Sequence, residues 1–441
     1  MSTIDVSKLP EFLRSRRWFG GKGVPIERVQ VLDHVDLGEG DYQFTLAVLE
    51  VIYQLGNPDR YLAMLHVGPN GELTEALDQD ELARIALRSV REQLQIPTGG
   101  GTLRGEYVGD GGKLAEVSRD PAVRRISAEQ SNTSLVYDDK IIFKLIRKLD
   151  LGNNPEWEVG QFLRKHGYRH TPPLLGGIVL EGAVHSTVAV VHEFVPVAQD
   201  GWAWTLDQMK GQTLAPDFLA EVTRLGEALG ELHDVLASDP SDPGFAPEPV
   251  QREDLQRWSS SIIGEMGVSL ASASQQAPEL LEKREALVAR IDRLARLEPE
   301  GAGMKIRHHG DLHLGQTLRS NGRWLIFDFE GEPVRTYAQR REKHSPLRDV
   351  AGMLRSFAYA CATVEIAGAP DGQRLGPVRK AFLDGYRKSR NTQGLLPADD
   401  QTFDVMLETL ELEKLLYELR YELSHRPDWV RIPARALLAY T

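Results

Sequence analysis

His308-His309-Gly310-Asp311-Leu312-His313-Leu314-Gly315-Gln316-Thr317-Leu318-Arg319-Ser320-Asn321-Gly322-Arg323-Trp324-Leu325-Ile326-Phe327-Asp328-Phe329-Glu330-Gly331-Glu332 is the stretch on which the reading of this chain turns. Asn321-Gly322 between alternating apolar flanks is a type I′ hairpin signal, because both central residues of that turn need positive φ. Such a hairpin brings Gln316 and Asp328, at its two ends, close together. An amide oxygen and a carboxylate suit a hard cation such as Mg²⁺, which takes few protein ligands and fills its other positions with water and phosphate. Asp311, five residues before Gln316, is left to meet an acceptor hydroxyl.

Protein kinases also set a catalytic-loop aspartate five positions before a magnesium-binding amide, with a metal-binding aspartate beyond a hairpin. Phosphoryl transfer asks a protein mainly to align the hydroxyl, accept its proton and spread charge on phosphate oxygens. Asp311 as catalytic base, with Gln316 and Asp328 as metal ligands, covers those tasks. Alone, His309-Gly310-Asp311 reads more readily as a loop turn than as a site, and only with the hairpin and the Asp328 strand does the balance move to a kinase site; a histidine-based zinc site leaves the Asp311-to-Gln316 spacing without a reason.

The chain has 441 residues, too many for one ordinary core, which predicts two or three packed units. Lys and Arg total 52 against 64 Asp and Glu, a formal charge of −12, so nucleic acid and anionic membranes are unfavoured partners. A single cysteine, Cys361, excludes an intrachain disulfide and fits a reducing cytoplasm. The apolar residues Leu9, Phe12, Leu13 and Trp18 are broken up by Glu11 and Arg14 to Arg17, unlike a signal peptide, and no run reaches the roughly 20 apolar residues of a membrane span.

Extended runs from Val24 to Val67, split by Gly38-Glu39-Gly40-Asp41 and Gly56-Asn57-Pro58-Asp59, predict a small sheet, followed by a helix over Glu75 to Leu94. Ile126 to Val197 reads as strand, strand, helix and strands. Beyond residue 200 helical periodicity dominates, notably over Phe218–Leu236, Leu280–Leu297, Pro377–Arg387 and Val405–Leu423. The expected fold is α+β and bilobal, protein-kinase-like, with a mixed sheet and helix cap at 1–95, a nucleotide-binding N-lobe at 96–198 and a mainly helical C-lobe at 199–441.

Lys144 interrupts the apolar strand Ile141 to Ile146, where a buried ammonium needs anionic partners. Nucleotide phosphates would be one. The helix opened by Asn153-Asn154-Pro155 offers Glu156 and Glu158, and Glu158, beyond the capping turn, is the expected partner. The polar turn Glu129-Gln130-Ser131-Asn132-Thr133-Ser134 would offer N–H groups and hydroxyls to phosphates, although it lacks the glycines of a Walker loop. Glu193-Phe194-Val195-Pro196 follows a strand at the place of an adenine-pairing hinge, with Glu193 and Val195 as the backbone contacts. Lys22 is either a solvated loop residue or a reach toward nucleotide, and Asp349 is an N-cap of the helix that follows it.

His309 to Gln316, Asp328-Phe329-Glu330-Gly331-Glu332-Pro333 and Ser345-Pro346-Leu347-Arg348-Asp349-Val350-Ala351-Gly352-Met353-Leu354-Arg355-Ser356 resemble the core of maltokinases, aminoglycoside-phosphotransferase-like enzymes. Arg17-Trp18-Phe19-Gly20-Gly21-Lys22-Gly23 resembles the start of that family's cap. Tyr417 to Glu422 with Arg426-Pro427-Asp428-Trp429 resembles its C-terminal signature, so the likeness spans nearly the whole chain. The resemblance implies ATP-dependent phosphorylation of maltose to maltose 1-phosphate, feeding α-glucan and glycogen synthesis from trehalose, and trehalose synthase as a partner. His425 stands where the family commonly has Asn, which bears on acceptor selectivity. Sugar recognition needs aromatic faces and hydrogen-bonding charges, and Glu413, Tyr417, Tyr421, Arg426 and Trp429 provide both, the tyrosines on one helical face. The alternatives are a related kinase for glucosamine, an aminoglycoside or another disaccharide, and a catalytically dead glycan-binding scaffold for trehalose synthase. Against the scaffold stands the intact set of Asp311, Gln316, Asp328 and Lys144.

Overall fold

The computed structural model describes residues 4–38, 44–68, 70–76, 80–109, 112–126, 131–196, 198–211, 213–366, 373–389 and 394–441. Its backbone divides into two compact units, one formed by 1–165 and 172–197, the other by 166–171 and 198–441.

The first unit carries two antiparallel sheets. Strands Ile26–Leu37, Phe44–Tyr53 and Asp59–Val67 are the sheet expected over Val24 to Val67, and Leu73–Glu75 and Lys148–Leu149 pair with the last of them. The second sheet runs Gln95–Pro97, Gly101–Tyr107, Leu174–Gly182, Ser186–Glu193, Ile141–Leu145, Thr133–Tyr137, Val123–Ile126. The helix expected from Glu75 is shorter, Asp80–Arg91, since Leu73–Glu75 is taken up as an edge strand and residues 77–79 lie outside those described. Leu82, Leu87 and Val90 of that helix share one buried cluster with Val48 and Leu62 of the first sheet and Leu103, Phe143 and Val191 of the second. The boundary expected near residue 95 therefore falls inside one compact unit. A shared apolar core and the pairing of Lys148 with Tyr61 hold the sheets together.

The second unit is mainly helical. Its principal helices are Pro216–Leu236, Arg252–Ser272, Arg284–Ala295, Leu347–Ile366, Leu375–Tyr386 and Asp400–His425. The single helix expected over Leu280–Leu297 is split at Lys283 into Glu279–Glu282 and Arg284–Ala295. The longest, Asp400–His425, starts at Asp399, whose side chain accepts from the Thr402 N–H, and ends before Pro427, which lacks an N–H to continue it. Gly226 matters because a Cβ there would collide with the Phe382 carbonyl, so a side chain would push helices Pro216–Leu236 and Leu375–Tyr386 apart. Their approach sets Tyr386 beside His233. The predicted hairpin is present: Thr317–Ser320 pairs with Arg323–Ile326, and Asn321 and Gly322 adopt φ of 50° and 73°. Among the described residues no helix is long and apolar enough to cross a membrane.

Candidate active site

The loop before the hairpin is fixed by one buried carboxylate. Asp349 accepts the His309 N–H at Oδ2 (2.7 Å) and the Gly310 N–H at Oδ1 (2.9 Å). His233 Nε2 lies 3.1 Å from Oδ2, and His233 Nδ1 lies 2.8 Å from the Tyr386 hydroxyl. Burial works to raise the Asp349 carboxyl, but His233 and the neighbouring His308 and His309 outweigh it and hold it well below the usual carboxylate range. The N-cap reading of Asp349 is thereby corrected: the helix already runs from Leu347, and Asp349 in its first turn braces the loop. Gly310 takes φ of 85°, a region that favours glycine, which turns the chain toward Asp311. His309 Nε2 adds a 2.9 Å contact to the Phe327 carbonyl, fastening loop to hairpin. Beside it, burial pushes the His308 imidazole down to about 4, so it is neutral at pH 7.

Asp311 is half-buried and meets a cation that the sequence reading did not single out. Lys414 Nζ donates to Asp311 Oδ1 at 2.9 Å and to Glu332 Oε1 at 3.1 Å, and stands 4.6 Å from the Tyr417 ring centroid. Burial disfavours the ammonium, yet Asp311 and Glu332 more than compensate and raise its pKa above the ordinary lysine value. Burial likewise opposes ionisation of Glu332, and Lys414, Arg348 and Arg335 overcome it, holding the carboxyl at about 2. Glu413, expected on substrate, is gripped by Arg335 (3.1 Å) and Arg348 (2.8 Å).

The hairpin brings its ends together as its turn requires: Gln316 Nε2 donates to Asp328 Oδ2 at 2.9 Å. Asp328 holds φ of 68°, a conformation that costs a non-glycine residue energy and often marks functional positions. The pair fits Mg²⁺. Amide oxygen and nitrogen are assigned by hydrogen bonding, and a half-turn of the amide sets Oε1 beside the carboxylate as a second hard oxygen donor.

Tyr417 and Tyr421 share a helical face, with ring centroids 6.4 Å apart. With Trp202 and Tyr359 they wall a cavity of about 460 Å³ that reaches Asp311. Glu422 Oε1 accepts from the Tyr359 hydroxyl and from Arg426, both at 2.6 Å. The Arg426 guanidinium lies 5.4 Å from the Tyr421 ring and 5.2 Å from that of Trp429. Trp429 stands behind Tyr359, their planes 3° apart.

In the first unit Lys144 finds its carboxylate, but it is Glu156, at 2.8 Å, and not Glu158. Asn154 caps the helix by accepting the Glu156 N–H, and the packing of Trp157, Phe162 and Leu163 sets the helix's phase so that Glu156 faces the strand. Burial works to raise the Glu156 carboxyl, and Lys144 with His192 outweigh it, bringing it down to about 2. Glu156→Gln is accordingly expected to raise the KM for ATP by about 10- to 100-fold, the worth of a charge-assisted hydrogen bond. Glu158→Gln should raise it less, because Glu156 and not Glu158 is the carboxylate 2.8 Å from Lys144. Steady-state titration of ATP for the two variants checks the pair.

The polar turn differs from the expectation. Thr133 and Ser134 open a strand and are buried, the Thr133 hydroxyl accepts from Arg147 Nε at 2.9 Å, and Asn132 Oδ1 accepts the Arg147 N–H. These two side chains are engaged by Arg147, while Ser131 is exposed; Glu129 and Gln130 lie outside the described residues. At the hinge the Glu193 and Phe194 N–H groups are already bonded, to Pro173 and Lys140. Lys22 is exposed.

Residues 12–88 match the profile of the maltokinase N-terminal cap domain, and residues 122–331 that of the phosphotransferase enzyme family. A glucosamine kinase of Mycolicibacterium smegmatis is 32% identical over 333 residues, covering 72% of this chain and 79% of that protein. One from Streptacidiphilus jiangxiensis is 28% identical over 327 residues, covering 71% and 72%. Among solved structures, a glucosamine kinase in complex with glucosamine, ADP and inorganic phosphate matches with a TM-score of 0.73 at 22% identity, over 100% of this chain and 99% of that one. A second crystal form of glucosamine kinase gives 0.74 at 23%, over 95% of each. The fold is thus kinase-like and α+β, with a sheet-rich N-lobe and a helical C-terminal part. Identity at this level over most of both chains, with the cap and transferase profiles in sequence order, shows that the chain belongs to the phosphotransferase enzyme family, as a kinase acting on a hydroxyl group and carrying a maltokinase-type cap.

Proposed function

We propose that this protein is a cytoplasmic, ATP- and Mg²⁺-dependent sugar kinase whose preferred acceptor is glucosamine. In this reading residues 1–95 are the cap, 96–198 hold the nucleotide, and 199–441 hold metal and sugar. Lys144, steadied by Glu156, takes nucleotide phosphates, Ser131 stands at the phosphate turn, and the Val195 N–H pairs with adenine. Gln316 and Asp328 hold Mg²⁺, which when bound neutralises charge on phosphate oxygens. Lys414 occupies Oδ1 of Asp311, so Oδ2 meets the acceptor hydroxyl and takes its proton. Tyr417 and Tyr421 stack on the sugar and exclude water.

The observation that carries this reading is the charge of the aromatic cavity at Asp311. Its lining holds the carboxylates of Asp200, Asp311, Glu418 and Glu422 against the cations of Lys414 and Arg426, with Arg355 paired to Glu418 at 2.9 Å from behind, which leaves one carboxylate in excess. An excess of carboxylates beside aromatic faces suits the ammonium of an amino sugar. The names of the similar kinases support the same acceptor. A second reading, maltose converted to maltose 1-phosphate for α-glucan synthesis with trehalose synthase as partner, draws on the cap profile over residues 12–88 and on the Arg426 to Trp429 motif.

The test is ADP release with Mg²⁺-ATP against glucosamine, maltose, glucose, trehalose and kanamycin, with the product identified by phosphorus NMR. Glucosamine-dependent turnover supports the first reading and maltose-dependent formation of an anomeric phosphate the second. Turnover with neither overturns both.

A further inference from the structure

We infer that Lys414 is the positioning residue for Asp311, holding its carboxylate in the single orientation that presents Oδ2 to the acceptor; the inference rests on the reading of Asp311 as the base. A carboxylate at the end of a short side chain turns readily about its last torsion unless one oxygen is tied. Here Oδ1 is tied to an ammonium 2.9 Å away, and the ammonium is itself held by a rigid frame. Lys414 is bonded to Glu332 at 3.1 Å, Glu332 to Arg335 at 2.7 Å, Arg335 to Glu413 at 3.1 Å, and Glu413 to Arg348 at 2.8 Å. The chain of alternating charges joins helix Asp400–His425, the segment after the hairpin and helix Leu347–Ile366. Moving Lys414 would strip a partner from Glu332, which is only 5% exposed, so the ammonium is fixed from both sides.

The placement is also where two cavities meet. One, of about 190 Å³, is lined by the charged frame, and the other, of about 460 Å³, by the aromatic wall; Asp311, Lys414 and Tyr417 line both. The groups facing Asp311 are Lys414 and Tyr417 from the long helix, Glu332 beyond the hairpin, and His309 and His313 from its own loop. Lys414 is the fixed cation among them. It therefore sets the direction in which the base points.

A purely structural strut would lower stability without separating kcat from the KM for ATP. Lys414→Met is expected to lower kcat by about tenfold or more, the effect of a base left free to turn away from the acceptor. The KM for ATP should stay within about twofold, and Lys414→Arg, which keeps a cation for Oδ1, should recover most of the lost kcat. Because Lys414→Met leaves the Glu332 charge buried, the double variant Lys414→Met with Glu332→Gln is measured in parallel and should show the same loss of kcat. A folded Lys414→Met enzyme with wild-type kcat overturns the inference while leaving Asp311 as the base. If Asp311→Asn turns over like the wild type, the base assignment and this inference fall together.

Discussion

Asp311→Asn is expected to lower kcat by about 10²- to 10⁴-fold, the usual cost of removing a general base, with little change in the KM for ATP. The substitution is nearly isosteric: Asn keeps an oxygen for Lys414 Nζ, now 2.9 Å from Oδ1, and stays within the frame that includes Glu332. What it loses is the ability to take a proton. Lys414 then faces one carboxylate where it had two, which costs stability but leaves Asp349 and the hairpin ends untouched. The measurement is ADP release at saturating ATP and acceptor, alongside thermal unfolding. Near-normal turnover would mean that alignment alone suffices and that another group receives the proton.

How far the sequence reveals such a site depends on how local its determinants are. The hairpin was legible because Asn321-Gly322 encodes its own backbone conformation, and once formed it brings Gln316 to Asp328 whatever else the chain does. Lys144 was legible because an ammonium inside an apolar strand demands a carboxylate. Which carboxylate was not. Glu156 and Glu158 lie about 200° apart around a helix, and the packing of Trp157, Phe162 and Leu163, not the capping turn, decides which one faces the strand. The polar turn misled for a related reason: Arg147, 14 residues beyond Thr133, draws the Thr133 hydroxyl inward, and no local pattern announces it. Lys414 stands 103 residues from Asp311. Its one signal was its place three residues before Tyr417 on the tyrosine face of the helix, and a lysine there reads as a solvated flank until the fold closes over it.

Asp349→Ala should be the most damaging substitution outside the reacting groups, lowering the unfolding free energy of the C-terminal unit by about 3–5 kcal/mol, as expected when one member of a buried charged cluster is removed. Three donors lose their acceptor at once: the His309 and Gly310 N–H groups and His233 Nε2. Asp349 is 1% exposed and His233 fully buried, so water does not easily replace the carboxylate. Because those N–H groups belong to the two residues directly before Asp311, the damage reaches function. A loop freed to shift by about 1 Å misplaces the base and is expected to cost roughly 10²-fold in kcat. Asp349→Asn retains one carbonyl acceptor but turns an amide N–H₂ toward a second donor, so it should fall between the alanine variant and the wild type in both stability and turnover. Urea unfolding followed by tryptophan fluorescence reads the first quantity and ADP release the second, with ADP binding confirming that the rest of the protein remains folded. Wild-type stability together with wild-type turnover in Asp349→Ala would show that the loop holds its shape without the carboxylate. Loss of both in the expected order, alanine below asparagine, would place the origin of Asp311's orientation in a residue that never touches substrate.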